Sequence, residues 1–355
     1  MNSLIADWQE RIRSAADLGE VLCLQGGGSK AFYGGELRGT PFAVDAYRGI
    51  VNYEPTELVV TARAGTRLSE LVETLADKRQ WLPCEPPHFG GLATVGGMLA
   101  GGLSGPGRAT AGAVRDFVLG VKLLSGMGEL LSFGGQVMKN VAGYDVPRLI
   151  AGSLGTLALI LEVSMKVLPR PVAAKSIRLR VDEREALARL NRWGGQPLPV
   201  SATAWYEGEL TIRLAGAAAA VSAAQAKLAG EVLDADEADA FWLALREQTH
   251  PFFAGDAPLW RLSLPSVAAP LPLGPTLIEW GGAQRWLRGG DPAVIRTAAH
   301  AARGHATLFR GDPALKATVG VFQPLNPSLL RIHRGLKNAF DPRGVFNPGR
   351  LYPEF

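Results

Sequence analysis

The stretch Ala93–Gly107, Ala-Thr-Val-Gly-Gly-Met-Leu-Ala-Gly-Gly-Leu-Ser-Gly-Pro-Gly, constrains the fold more than any other part of the chain. Six of its residues are glycine, yet Val95, Met98, Leu99 and Leu103 recur at near-helical spacing. Thr94 is placed to start a helix, because its hydroxyl can accept a hydrogen bond from a free backbone N–H of the first turn. Each glycine weakens a helix by about 1 kcal/mol relative to alanine. Repeated glycines therefore point to close backbone approach, either to another element or to a ligand. A helix start free of side chains suits a phosphate. Tight packing of a helix on a sheet uses the same residues, and this stretch alone favours the two uses equally.

The rest of the chain narrows the choice. Its 355 residues fit two domains, or one large domain with an insert, and 47% hydrophobic residues supply a sizeable core. The net charge is +4, but the basic residues are scattered, which argues against nucleic-acid binding. Cys23 and Cys84, the two cysteines, make neither a metal-ligand pair nor a disulfide framework. The N-terminus carries acids early and lacks a basic segment before an apolar core, so no signal peptide is expected. The longest uncharged apolar runs, Leu149–Leu161 and Leu214–Ala226, fall short of the ~20 residues that span a bilayer. A soluble, cytoplasmic chain is expected.

In chain order, Leu4–Ala16 reads as a helix and Val21–Leu24 as a short buried strand. That strand runs into Gln25-Gly26-Gly27-Gly28-Ser29-Lys30, a phosphate cradle or a flexible turn, with neither Walker nor dinucleotide-fingerprint spacing. Strands follow at Phe42–Asp45, Ile50–Tyr53 and Leu58–Ala64. Thr66 is expected to cap a helix carrying Leu68, Leu71, Val72 and Leu75 on one face. Beyond the glycine element, Phe117–Leu124 and Glu129–Phe133 form a hairpin. Leu157–Val167 is the clearest strand; its second face passes from Ala158 and Ile160 to Glu162, Ser164 and Lys166, so it should end with one face in water. Pro169-Arg170-Pro171 marks a boundary. Past it come strand Ile177–Val181, helix Glu183–Trp193, a hairpin around Glu207-Gly208-Glu209, and helices at Ala217–Ala229 and Asp236–Gln248. Strands Trp260–Leu264 and Thr276–Trp280 and a helix Asp291–Ala302 complete an expected antiparallel sheet with helices on one face. A last helix, Pro327–Ala339, precedes Asp341-Pro342-Arg343-Gly344-Val345-Phe346-Asn347-Pro348-Gly349.

Several of these pieces, in this order, resemble the vanillyl-alcohol-oxidase family, with its PCMH-type FAD-binding domain. They are Gly26–Lys30, Ala93–Gly97, Ala111–Asp116, Lys139-Asn140-Val141-Ala142-Gly143-Tyr144-Asp145, Gly152–Leu157 and Asp341–Gly349. Within the family the likeness is greatest to the FAD-binding subunits of bacterial glycolate oxidases, carried by Arg48–Tyr53, Leu82–His88, Met138–Asp145, Trp280–Leu287 and Gly304–Thr307. The resemblance implies an α+β protein: a two-lobed FAD-binding domain over 1–169, an α+β cap over 170–325, and a C-terminal segment, 326–355, returning to the flavin. It implies that Gly26, Gly27, Gly28, Ser29 and Lys30 face the pyrophosphate, and that Thr94, Gly96 and Gly97 meet it from the other lobe. Gly101, Gly105 and Gly112 would line the flavin side, Ala158 and Leu159 the adenine side, and Asn347 would return near the ring. A branched side chain at Gly97 should clash with the pyrophosphate or the facing lobe. The first glycine loop lacks the histidine of covalent members, so non-covalent FAD is expected.

The resemblance also implies oxidation of glycolate or another small 2-hydroxy acid. The partners would be a larger flavin subunit and an iron–sulfur subunit, with membrane contact only peripheral and through them. Such chemistry needs a cation for the substrate carboxylate and a base for the hydroxyl proton. Arg261, in mid-strand, is the candidate clamp and His305 the candidate base; a sheet salt bridge and a hydrogen-bonded strand-end histidine are their ordinary alternatives. His88 could lie near the flavin or be a loop histidine with its hydrogen bonds met. The cap lacks the histidine cluster of larger relatives, and no metal site is expected. This leaves open an accessory or electron-relay subunit without turnover of its own. The segment Trp280–Leu287 is expected at an exposed, partner-facing edge of the cap, or else to close the cap core.

Overall fold

The computed structural model of the chain describes residues 2–135 and 144–355. The motif Met138–Gly143 lies outside the described residues, and only Tyr144 and Asp145 of its run are seen. Asp145 Oδ1 accepts from the Arg148 backbone N–H at 3.4 Å, starting the short helix Val146–Ile150.

Among the described residues the strands form two large sheets and two small ones. The first large sheet has five antiparallel strands in the order Ile50–Glu54, Val59–Arg63, Leu159–Lys166, Val118–Leu124 and Leu130–Gly134. Helices Leu68–Ala76 and Val95–Gly101 cover one face through Leu68, Leu71, Leu75, Val95, Met98 and Leu99. Helix Asn2–Leu18 covers the other through Trp8, Ile12 and Ala15. A parallel pair, Leu22–Gln25 with Thr40–Ala43, carries the first glycine loop at its end, and Phe346 bridges to Leu22 from the C-terminal segment.

Two local expectations change here. Thr66 does not cap the helix that follows; its hydroxyl accepts from Gly49 N–H at 2.9 Å and donates to Gly49 C=O, and the N-cap position falls to Arg67 with no side-chain bond. Nor does Leu159–Lys166 end with a face in water. It is the central strand, paired on both sides, and its register against Val118–Leu124 shifts between Lys122 and Leu123, leaving Leu161 as a bulge. The bulge turns Glu162 onto the face of helix Asn2–Leu18. There it is buried, accepting from Tyr47 Oη at 2.9 Å and pairing with Lys122 at 2.9 Å. Ser164 shares a 2.8 Å hydrogen bond with Thr61.

The second large sheet has eight antiparallel strands in the order Glu231–Val232, Ala173–Arg180, Glu209–Gly216, Val200–Tyr206, Thr276–Glu279, Gln284–Arg288, Leu259–Ser263 and His305–Arg310. Helices Glu183–Gly194, Ala218–Leu228 and Pro292–Ala301 pack on one face. Helix Ala235–Glu247 does not join them. Its Trp242 and Leu245 lie on the opposite face, with Tyr33, Leu103 and Leu154 from the first half of the chain. The expectation of helices on one face alone is corrected by that helix, whose second apolar side is buried between the two halves of the molecule. The strand Gln284–Arg288 is interior to the sheet, and Arg285, Trp286 and Leu287 are buried. Trp280 donates to Gly105 C=O at 3.0 Å and stacks under Arg108. This segment therefore closes the cap core and is not an exposed edge. Among the described residues no helix is long and apolar enough to cross a membrane.

Candidate active site

The glycine element is a seven-residue helix, Val95–Gly101, capped by Thr94, whose Oγ1 accepts from Gly97 N–H at 3.1 Å. Gly102, with φ +60, ends it. Gly96 is the close-packing glycine: its N–H donates to Ala64 C=O at 2.8 Å, and a Cβ there would lie 2.7 Å from the Ala64 Cβ. Gly97 is looser, since a Cβ would meet only Thr94 Oγ1, at 3.1 Å. The first glycine loop lies directly against this element. A Cβ on Gly26 would stand 2.8 Å from Thr94 Oγ1, and one on Gly27 would overlap the Leu92 carbonyl oxygen. Gly28, with φ +70, has open space around it, as have Gly90 and Gly91.

Lys30 runs from this contact along Gly101, whose Cβ would sit 3.1 Å from Lys30 Cδ. Its Nζ is 3.4 Å from both Ser29 Oγ and the His88 carbonyl oxygen, and it makes no ion pair among the described residues. Desolvation pushes its pKa down to about 8 against the opposing field of Glu247. A poorly compensated ammonium between two side-chain-free backbone segments is the donor set a diphosphate requires, so the residues present fit FAD. Gly105 packs against Glu85, and its carbonyl accepts from Trp280. Gly112, with φ +112, serves a turn beside Asp116. Ala158 and Leu159 are buried in the two cores around the five-stranded sheet. Asn347 acts as a clamp: Oδ1 accepts from Leu24 N–H at 2.8 Å, and Nδ2 donates to Leu154 C=O at 2.8 Å.

A narrow cleft opens between the glycine element and the eight-stranded sheet. Phe89 and Leu103–Pro106 line it on one side, and Arg246, Arg261, Glu279 and Gln284 on the other. Arg261 sits in mid-strand and donates to Tyr33 Oη at 3.0 Å, with its guanidinium 5.6 Å from the Phe309 ring centroid. It makes no ion pair among the described residues, so its charge is available to a ligand. His305 lies on the edge strand opposite Ser263, on the same sheet face, but it is exposed and outside the cleft lining. His88 gives its backbone N–H to Glu247. The residue missed by sequence reasoning is Glu279, a buried acid in the cleft wall. Its only sequence signal was an acid between Ile278 and Trp280 in an otherwise apolar strand.

The halves of the chain are locked around this cleft. Arg213 makes a bidentate pair with Glu85 at 2.7 and 2.9 Å, and Glu247 accepts from Phe89 N–H at 2.7 Å. Phe32 and Tyr33 pack on Phe309.

An α+β fold with opposed glycine elements and a basic cleft beneath a sheet-built cap defines a flavoprotein of the PCMH-type FAD-binding class. The FAD binding domain family matches residues 4–134. The chain superposes on 4-ethylphenol oxidase from Gulosibacter chungangensis with a TM-score of 0.72, over 99% of this chain and 88% of that one, at 15% sequence identity. It is 49% identical to glycolate oxidase subunit GlcE of Escherichia coli K12 over 348 residues, 97% of this chain and 96% of that one. It is 29% identical over 143 residues to glycolate oxidase subunit GlcD of Bacillus subtilis 168, covering 39% of this chain and 30% of that one. The chain belongs to the GlcE family of FAD-binding glycolate oxidase subunits and is an FAD-dependent oxidoreductase subunit.

Proposed function

We propose that this chain is the FAD-carrying subunit of a multi-subunit enzyme that oxidises glycolate, or a closely related 2-hydroxy acid, to the 2-oxo acid. On this reading residues 1–169 hold FAD, 170–325 cap the site, and 326–355 return to the FAD side. The observation that carries it is Arg261, a guanidinium without a carboxylate partner among the described residues, facing a small cleft beside the glycine element. A planar guanidinium matches a carboxylate in charge and geometry. The bound FAD supplies the hydride acceptor. Lys30 and the backbone donors of Gly26–Lys30 and Thr94–Gly97 hold the diphosphate, and Arg261 holds the substrate carboxylate. FAD is held non-covalently: the loop lacks a histidine, and burial pushes the Cys84 thiol up to about 12, far from a reactive thiolate. The partners are a larger flavin subunit and an iron–sulfur subunit, which take the electrons onward. The enzyme works in the cytoplasm, touching the membrane only through them.

The test is anaerobic reconstitution of the chain, alone and with its partners, with FAD and then glycolate. Loss of the oxidised-flavin absorbance is expected; an unchanged spectrum in both preparations overturns the reading. Arg261→Met should retain FAD and lower kcat/KM for glycolate by about 10²–10³-fold, since removing one partner of a buried charge pair costs roughly 2–5 kcal/mol. A loss under about threefold removes Arg261 as the clamp.

The diphosphate contact has its own pH signature. Bound diphosphate favours the charged form of Lys30, whereas the free ammonium loses its proton near 8. FAD affinity should therefore hold below about pH 7 and fall as pH rises through about 8, by up to about tenfold per pH unit. Lys30→Met should bind FAD more weakly at pH 7 and lose this dependence. Flavin-fluorescence titrations across the range check it, and a flat wild-type profile would place Lys30 away from the phosphates.

A further inference from the structure

Glu279 is the acid of the cleft that the clamp does not explain. It ends the strand Thr276–Glu279 and is fully buried. Among the described residues its side-chain hydrogen bonds both fall on Oε2, from Trp286 Nε1 at 2.6 Å and Gln284 Nε2 at 2.9 Å. It has no ion pair among the described residues. Burial pushes its pKa up to about 7, the Trp286 and Gln284 donors pull it down, and the Glu85 carboxylate adds to the rise. The charged groups around it are Glu85, paired with Arg213; Arg246, paired with Glu247; and Arg261 across the cleft wall. A neutral amide could receive the same two N–H groups without the several kcal/mol that burying a carboxylate costs. The structure thus keeps an ionisable group where anchoring Trp286 alone does not call for one.

A second observation lies in the same wall. Gln248 is buried, and its Oε1 has no hydrogen-bond partner among the described residues. It sits at the left-handed C-cap of helix Ala235–Glu247, with φ +56, and lines the cleft. A buried acceptor with nothing to accept from is expensive unless a ligand supplies the donor. The cleft therefore presents a free cation, an orphan acceptor and a proton-accepting acid, which together match a carboxylate with a hydroxyl on the adjacent carbon.

We infer that Glu279 takes up the hydroxyl proton of a 2-hydroxy acid whose carboxylate is held by Arg261, with Gln248 Oε1 orienting the hydroxyl. This rests on the function proposed above. The substrate O–H bond breaks, its proton passes to the Glu279 carboxylate, and its electron pair forms the carbonyl. The C–H pair leaves as hydride, with FAD as the two-electron oxidant. Glu279 then returns its proton to solvent.

The experiment uses the FAD-loaded enzyme with its partners and the variant Glu279→Gln, which keeps an acceptor for Trp286 and Gln284 but cannot take a proton. Single-turnover flavin reduction by glycolate should slow by about 10²–10⁴-fold, the usual weight of a general base. The wild-type rate should rise with pH through about 7, and the variant should lose that limb. A readout independent of turnover is tryptophan fluorescence without substrate. Wild type should show a transition near pH 7 as Glu279 ionises beside Trp286, and Glu279→Gln should not. If wild type reduces its flavin and Glu279→Gln does so equally fast, the inference fails and the proposed function stands. If wild type is not reduced by glycolate at all, the proposed function fails, while the fluorescence comparison still reports whether Glu279 titrates. Should Glu279→Gln not fold, Glu279→Asp replaces it: a slowed reduction with a displaced pH limb supports the inference, and an unchanged rate and profile overturns it.

Discussion

Asp341→Ala is expected to cost about 3–5 kcal/mol of stability, a large share of the roughly 5–15 kcal/mol that a folded chain has. Asp341 and Lys337 form a buried pair at 2.6 Å one helical turn apart. Lys337 Nζ also donates to Thr156 C=O at 2.7 Å and Phe346 C=O at 2.8 Å. Asp341 in turn accepts from the Val345 and Phe346 N–H groups at 2.9 and 2.8 Å. Burial already pulls the Lys337 pKa down, and Asp341 opposes that pull. Removing the carboxylate leaves an ammonium without its counter-charge and frees two backbone donors. It also loosens Phe346, which bridges to Leu22 at the start of the strand that leads into the first glycine loop. Urea denaturation measures the loss, with reduced FAD retention accompanying it. Replacing both partners together, Lys337→Met with Asp341→Asn, should recover part of the stability, because no lone buried charge then remains. A loss below about 1 kcal/mol for Asp341→Ala would show that the pair does not anchor the C-terminal segment.

Gly27→Ala is the second large effect. Its Cβ would overlap the Leu92 carbonyl oxygen and stand 3.0 Å from Arg67 Nη1, which itself donates to that oxygen at 2.8 Å. Backbone on one side and a hydrogen-bonded guanidinium on the other cannot yield by changing a rotamer. The loop must move, at a cost of about 1–3 kcal/mol or more, and the two glycine elements separate. The purified variant should be folded and nearly colourless. Gly28→Ala is the contrasting change: its surroundings are open and its cost is the strain of φ +70, about 1–2 kcal/mol. At Gly97 a Cβ would meet Thr94 Oγ1 at 3.1 Å, the hydroxyl that caps the helix. If Gly27→Ala and Gly28→Ala retain equal flavin, the contact between the elements is not what holds the site open to FAD.

Much of the fold was legible because it is written in local periods. Thr94 caps its helix as its position before Val95 suggested. Pro292 opens a helix behind the Asp291 cap. Glu207 and Gly208, with φ +45 and +83, make the hairpin turn that joins Val200–Tyr206 to Glu209–Gly216. Thr66 shows where local pattern stops deciding. A hydroxyl before a helix can serve the helix or a neighbour, and here Gly49 claimed it. Trp280–Leu287 shows it again, since a tryptophan-rich segment reads alike whether it faces a partner or fills a core.

The sequence by itself determined many of the elements, the two glycine segments with their likeness to FAD-binding chains, and Arg261 in mid-strand, but not the strands Gln284–Arg288 and His305–Arg310. Those signals depend on residues a few positions apart. The tertiary structure alone decided that Leu161 bulges and turns Glu162 inward, that helix Ala235–Glu247 lies between the halves of the molecule, and that Glu279 is the buried acid of the cleft. A carboxylate's proton affinity depends on which surfaces exclude water from it. For Glu279 those surfaces come from chain segments as distant as Leu103–Pro106 and Phe309. No local period records that meeting, because it exists only once the strands have paired and the two glycine elements have closed on each other.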